Sequence, residues 1–370
     1  MGGRAAATLT PTVRHPSSAP TRSRRVPRPT FPALVCAATL ASASGGARAQ
    51  PPTTGAYHVV RRIAAGGEGG WDYLTVDTAA HRLYVSRATH VMVIDTDRDS
   101  VVGDVGDTPG VHGIAVAADL GRGYVSNGRD SSVTVFDLKT LATVARVRGT
   151  GRNPDAILYE PSTRRVFAFN GGSATATVID AAADTVVSTL VLGGRPEFAQ
   201  ADGSGRVFVN LEDRSEVVAF DARTLAVLGR YPLAPCEGPT GLALDPAAMR
   251  LYVGCANRRM AVVDARTGRV VTTVPAGDDI DATAFDPATH LALASARDGT
   301  LTVVATDDGA LAPATVATGP GGKTIALDAR THRVYVPVAR YGPAPASTAA
   351  RPHPRPAMVA GSFTVLVLDR

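Results

Sequence analysis

Seven positions at nearly even intervals carry the side chains best suited to chemistry: Asp72, His112, Asp155, Glu197, Thr240, Asp281 and Lys323. The steps between them are 40, 43, 42, 43, 41 and 42 residues. Four carboxylates, one imidazole and one ammonium gathered in one place can serve several ends. As a ligand-binding rim, the carboxylates take hydroxyls or amines and Lys323 takes an anionic group. Asp72, His112, Asp155, Glu197 and Asp281 also offer the oxygen and nitrogen donors that divalent metals use. His112, with its pKa raised by neighbouring acids, is the candidate catalytic base. Crowded acids repel one another, which favours either a bound cation or a retained proton, and Lys323 could neutralise them without a metal. A merely solvated rim is the remaining reading.

Further polar groups follow at the ends of the apolar phrases: Arg87, Asn127, Asn170, Glu212, Asn257 and Arg297. Glu212 is set as a ligand-binding partner for Glu197, while the group as a whole reads equally well as turn caps. Trp71, the one tryptophan, adjoins Asp72, either walling a ligand pocket or packing between structural units. No nucleophile elbow, zincin helix, phosphate loop or dinucleotide fingerprint occurs.

The even spacing comes from an internal repeat. Arg-aromatic-Val-small recurs as RLYVS at 82–86, RGYVS at 122–126, RVFAF at 165–169, RVFVN at 206–210, RLYVG at 250–254 and RVYVP at 333–337, with a worn copy, HLALA, at 290–294. A repeat near 42 residues is the size of a four-stranded blade, and seven blades close into a β-propeller. The expected blades span approximately 71–110, 111–153, 154–195, 196–238, 239–279, 280–321 and 322–370. Each has an apolar strand a, the aromatic-Val strand b, a strand c ending in Asp, and a strand d. The seven variable positions stand just before strand a, where they would line the channel mouth. The Asp ending strand c recurs too regularly for chemistry and reads as a cap for the c–d turn; the Arg opening strand b is likewise structural. The last repeat lacks its own strand d, and segment 56–66 is expected to supply it, closing the ring and removing two edges. A Pro/Ala-rich insertion at 340–361, including His353, replaces a b–c turn and is expected to be extended and to overhang the channel mouth.

These phrases, the turn after strand c and the blade length together resemble the YVTN-repeat, YncE-like family of bacterial seven-bladed β-propellers over about residues 56–370. The resemblance implies export and a surface for binding, with no common reaction. More distant propellers include lactonases, a streptogramin-type lyase and haem d1 domains, so fold does not choose an activity.

Residues 1–49 read as a leader. They hold seven Arg and no acid, then an apolar stretch from Phe31 to Ser44 and an Ala47-Arg48-Ala49 cleavage pattern. Ser23-Arg24-Arg25 hints at twin-arginine export, whereas bulky Val35 argues against Cys36 as a lipoprotein anchor. Removing those seven Arg leaves 31 basic against 33 acidic residues, so the folded part has no general attraction for nucleic acid or anionic lipid. Of the three Cys, Cys236 and Cys255 fall in one blade at neighbouring strand ends and are expected to form a disulfide. No C-x-x-C-H is present for covalent haem. The expectation is a periplasmic or secreted monomer with a small polar ligand, a cation or a protein partner, and with a metal-assisted hydrolase or lyase as the alternative.

Overall fold

The computed structural model describes residues 57–307, 311–347 and 356–370. The leader and His353 lie outside the described residues. Seven four-stranded antiparallel sheets are present, six of them consecutive in sequence. The first is Leu74–Asp77, Arg82–Arg87, His90–Asp95 and Ser100–Val105. The seventh combines Ala326–Asp328, Arg333–Val338 and Thr364–Asp369 with the closing strand His58–Ile63. His58 pairs with Asp369 and Ile63 with Val365, so the first and last strands seal the ring as expected.

The repeat phrase explains the core. Its alternation sends the strand-b aromatics Tyr84, Tyr124, Phe167, Phe208, Tyr252 and Tyr335 into the space between sheets, where all are 2% exposed or less. Phe167 meets Phe220 of the next blade edge-on at 5.3 Å, and Tyr84 meets Phe136 at 5.6 Å. Burying one such ring is worth roughly 1.5–3 kcal/mol.

Turn chemistry sets the ends of the strands. Asp95, Asp137, Asp180, Asp221 and Asp264 each accept two backbone N–H bonds from the residues two and three further on, at 2.7–3.0 Å. The Arg that opens strand b reaches the following blade in three cases. Arg82 donates to the Leu138 carbonyl, Arg122 pairs with Asp184 at 2.9 Å, and Arg165 donates to the Ala222 carbonyl at 2.6 Å.

Cys236 and Cys255 form the expected disulfide, with Cα atoms 5.5 Å apart. The described part of the 340–361 insertion differs from a plain extended loop. Tyr341 bridges Met358, the Gly342 N–H bonds the Ala357 carbonyl at 2.9 Å, and the Val359 N–H bonds the Arg340 carbonyl at 2.8 Å. Its stem is thus a short antiparallel ribbon.

Candidate functional site

Strand a is the innermost strand of each blade. In blades 2 to 6 its pairing with strand b slips between Val111 and Ile114, Pro154 and Ile157, Pro196 and Ala199, Pro239 and Leu242, and Ile280 and Ala282. The residue following each first-named position is His112, Asp155, Glu197, Thr240 or Asp281. A bulge re-aims one side chain out of the pleat, and here it falls on the variable position every time. Neighbouring blades pin the backbone at these points. The Thr324 hydroxyl donates to the Asp72 carbonyl at 2.8 Å, the Ser295 hydroxyl to the Lys323 carbonyl at 2.7 Å, and the Ser126 hydroxyl to the Asp155 carbonyl.

The ionised groups converge. Lys323 Nζ lies 2.9 Å from Asp72 Oδ1 and 2.6 Å from Asp281 Oδ2. His112 Nδ1 lies 2.7 Å from Asp72 Oδ2 and 3.5 Å from Asp155 Oδ1. These five side chains are only 15–29% exposed. Glu197 joins from across the axis through Tyr73 of blade 1, whose hydroxyl donates to Glu197 Oε1 at 3.4 Å. The Tyr73 ring packs at 5.3 Å on Phe198, so it bridges blades 1 and 4 beneath the carboxylates and floors the mouth. Below it a cavity of about 460 Å³ continues between the strands a, lined by Thr75, Leu158, Gln200 and Phe285 among others.

Protonation follows from this packing. Burial would raise the Asp72 carboxyl, but the His112 hydrogen bond and the Lys323 ammonium hold it at about 2. Burial would lower His112, but its bond to Asp72 and the charges of Asp155, Asp72 and Glu197 push it to about 9, making it an imidazolium at neutral pH. Asp155 is raised to about 6 by burial, with His112 and Lys323 opposing and Asp72 and Asp281 reinforcing. Glu197 is raised to about 8 by burial and then by Asp155, Asp281 and Asp72, with Arg195 opposing. Burial also raises Asp281 against the pull of Lys323. Burial, then Glu197 and the other acids, lifts the Tyr73 phenol well above its usual range. Asp72, His112 and Asp155 each offer one ligand atom, all within 4.8 Å of one another, and among the described residues form the group that could hold a metal.

Other expected members stand apart. Thr240 turns its hydroxyl to the Ile280 carbonyl of the next blade. Glu212 opens a short 3-10 turn, Glu212–Arg214, and its carboxylate is taken by Arg195; among the described residues no hydrogen bond or ion pair joins it to the ring. Arg87 caps the Gly66–Gly69 loop from a buried position. It is fully buried, donates to the carbonyls of Gly66, Glu68 and Gly69, and lies 3.8 Å above the Phe363 ring. Asn257 also caps its loop, donating to the Pro235 carbonyl at 2.9 Å and accepting from the Glu237 N–H at 3.2 Å. Asn127 and Asn170 donate to threonine hydroxyls of the adjoining strand c. Trp71 packs at 5.1 Å on Phe363 and 6.4 Å from Tyr341, and its indole also borders a side cavity at the mouth.

Tyr73 is the member that the spacing pattern passes over. The residues at the equivalent step are Gly113, Ala156, Phe198, Gly241, Ala282 and Thr324, so two bulky aromatics among small residues were the available signal.

No family model and no curated protein matches the chain. Among solved structures, a chain of Kuenenia stuttgartiensis hydrazine synthase superimposes with a TM-score of 0.66 at 17% sequence identity, covering 74% of this chain and 93% of that one. At that identity the likeness is one of fold. Among the described residues, no helix is long and apolar enough to cross a membrane.

Proposed function

We propose that this protein is an exported, YncE-like binding propeller whose channel mouth takes a small cation, either a divalent ion or the ammonium group of a polar ligand. The carrying observation is the convergence of Asp72, Asp155, Glu197 and Asp281, above the Tyr73 floor, with His112 and Lys323 as the cations that pair directly with them among the described residues. Acids held together against their repulsion are satisfied by a cation or by protons, and the raised Asp155 and Glu197 carboxyls are consistent with retained protons. Export is supported by the leader composition and by the disulfide. The test is elemental analysis of the purified protein, followed by calorimetry with Mg2+, Zn2+ and propylammonium in buffers of different ionisation enthalpy. The expected result is binding with proton release, lost in an Asp155→Asn/Glu197→Gln variant. Absence of any bound metal together with no heat from all three probes would end this reading.

The second reading, a metal-assisted hydrolase or lyase, is favoured by the close donor atoms of Asp72, His112 and Asp155. A metal there must displace the proton between His112 and Asp72, and the nearby Lys323 ammonium opposes it. Metal-dependent turnover of a lactone or ester distinguishes it from binding alone. A protein partner on the outer rim, the scaffold reading, would bind regardless of the ring substitutions.

A further inference from the structure

Beside the charged ring lies a second feature that the cation reading does not use. A cavity of about 480 Å³ opens where blades 1, 6 and 7 meet, walled by Trp71, Arg297, Lys323, Tyr341, Pro356 and Met358. Three of these, Tyr341, Pro356 and Met358, come from the insertion stem, which no other blade has. Tyr341 is seated against the d–a loop through Gly321, at φ 84°; a Cβ there would come within 3.1 Å of its ring. The described walls are therefore largely apolar and aromatic, and their charged members are both cations. Among the described residues, no carboxylate lines the cavity. The Lys323 ammonium is already held by Asp72 and Asp281. Arg297 is engaged differently. Its Nε is bonded to Asp279, while among the described residues no hydrogen bond takes its two Nη groups. A guanidinium with an open edge beside aromatic walls suits a planar anion such as a carboxylate.

We infer that this side cavity is a binding site for an organic carboxylate, its apolar body between Trp71, Tyr341 and Met358 and its anionic end on Arg297. The occupant is opposite in charge to that of the ring, so this inference goes beyond the proposed cation function and does not depend on it. An apolar body buried against these walls supplies affinity, and the Arg297 contact supplies the sign preference.

Trp71 is the chain's single tryptophan, so its fluorescence reports directly on the cavity. The experiment titrates the full protein with 1-adamantanecarboxylate, 1-adamantylammonium and 1-adamantanol, three probes of one shape and different charge. The expected result is a saturable change in Trp71 emission with the carboxylate, at a Kd at least several-fold below that of the alcohol, and not competed by the ammonium, whose site is the ring. Arg297→Gln should weaken the carboxylate by on the order of tenfold or more, the loss expected for a hydrogen bond to a charged group. Tyr341→Ala should weaken carboxylate and alcohol alike. Glu197→Gln, which alters the ring, should leave the carboxylate Kd within about twofold while reducing proton release on cation binding, so the two proposals fail separately. Equal binding of the carboxylate and the alcohol, no saturable change with the carboxylate, or an unchanged Kd in folded Arg297→Gln would each overturn the inference.

Discussion

Asp72 is the junction of the charge network, because its two oxygens answer two different cations. Oδ1 faces Lys323 at 2.9 Å and Oδ2 faces His112 at 2.7 Å. Among the described residues no cation bonds Glu197; Tyr73 supplies one long hydrogen bond, and Asp155, Asp281 and Asp72 all disfavour its charge against the weaker pull of Arg195. Its carboxyl is raised from 4.5 to about 8, so the folded protein keeps a proton there that the unfolded chain releases. The sign follows from linkage. Stability from this group is fully present below the unfolded value and declines as pH rises from there towards the folded value. Glu197→Gln mimics the protonated form and should escape that decline. Melting both proteins at pH 5 and pH 8 should show the variant gaining on the wild type, by on the order of a few kcal/mol at the higher pH. A gap between them that does not change with pH would mean Glu197 is ordinarily ionised. His112, raised from 6.5 to about 9, also loses stability as pH rises above 6.5, but it does so in wild type and variant alike and largely cancels from the difference, while Lys323 stays charged throughout.

The elements that hold the ring are the strands a and the segment joining the closing strand to blade 1. That segment depends on Arg87, which sits at the end of strand b and satisfies the carbonyls of Gly66, Glu68 and Gly69 at 2.9–3.0 Å while covering Phe363 of blade 7. Burial lowers its pKa to about 10, which still leaves it charged at neutral pH. Arg87→Met keeps the apolar stem but strands three carbonyls and removes the cation above the ring. The expected loss is about 2–4 kcal/mol, read as a lowered Tm and as faster amide exchange in blades 1 and 7. An unchanged Tm would show that the latch contributes nothing. At this scale the strand-c aspartates are legible in sequence because one turn repeats in blade after blade. Arg87 is not, because a solvated turn arginine and a buried one are the same letter, and only the fold places the Gly66–Gly69 carbonyls around it. The same holds for Glu212. Its place two residues past strand-b Asn210 says nothing of the 3-10 turn that hands it to Arg195. The positions of the ring residues were readable, since the repeat spacing survives any side-chain change; their pairing with one another was not, because it depends on which charges face across the axis.

At the scale of the molecule, closure is the property on which the rest depends, because a channel mouth exists only while all seven blades stand in a ring. Six sheets are built from consecutive strands and need no distant partner within themselves, but the seventh takes its outer strand from the other end of the described chain. Closure was legible in sequence as a repeat short of one strand beside an orphan strand; the charge pattern inside the ring had no comparable regularity to reveal it. Ile63 and Tyr57 are buried on the closing strand or beside it, and the Tyr57 hydroxyl donates to the His332 carbonyl at 2.8 Å. Removing the segment through Ile63 forfeits these contacts and leaves Thr364–Asp369, TVLVLD, as an unpaired, apolar edge rich in β-branched residues. Such an edge pairs with other chains. A chain beginning at Ala64 should therefore lose on the order of 5 kcal/mol or more and elute as oligomers or aggregates in size-exclusion chromatography with light scattering, whereas one beginning at Tyr57 should behave as the untruncated folded part does. A monomeric chain from Ala64 with an unchanged melting temperature would show that the first and last strands are dispensable to each other. A truncated monomer that kept the Tm but lost cation binding would locate the strand's role in shaping the mouth, since the segment from Gly66 to Trp71 leads directly from the closing strand to Asp72.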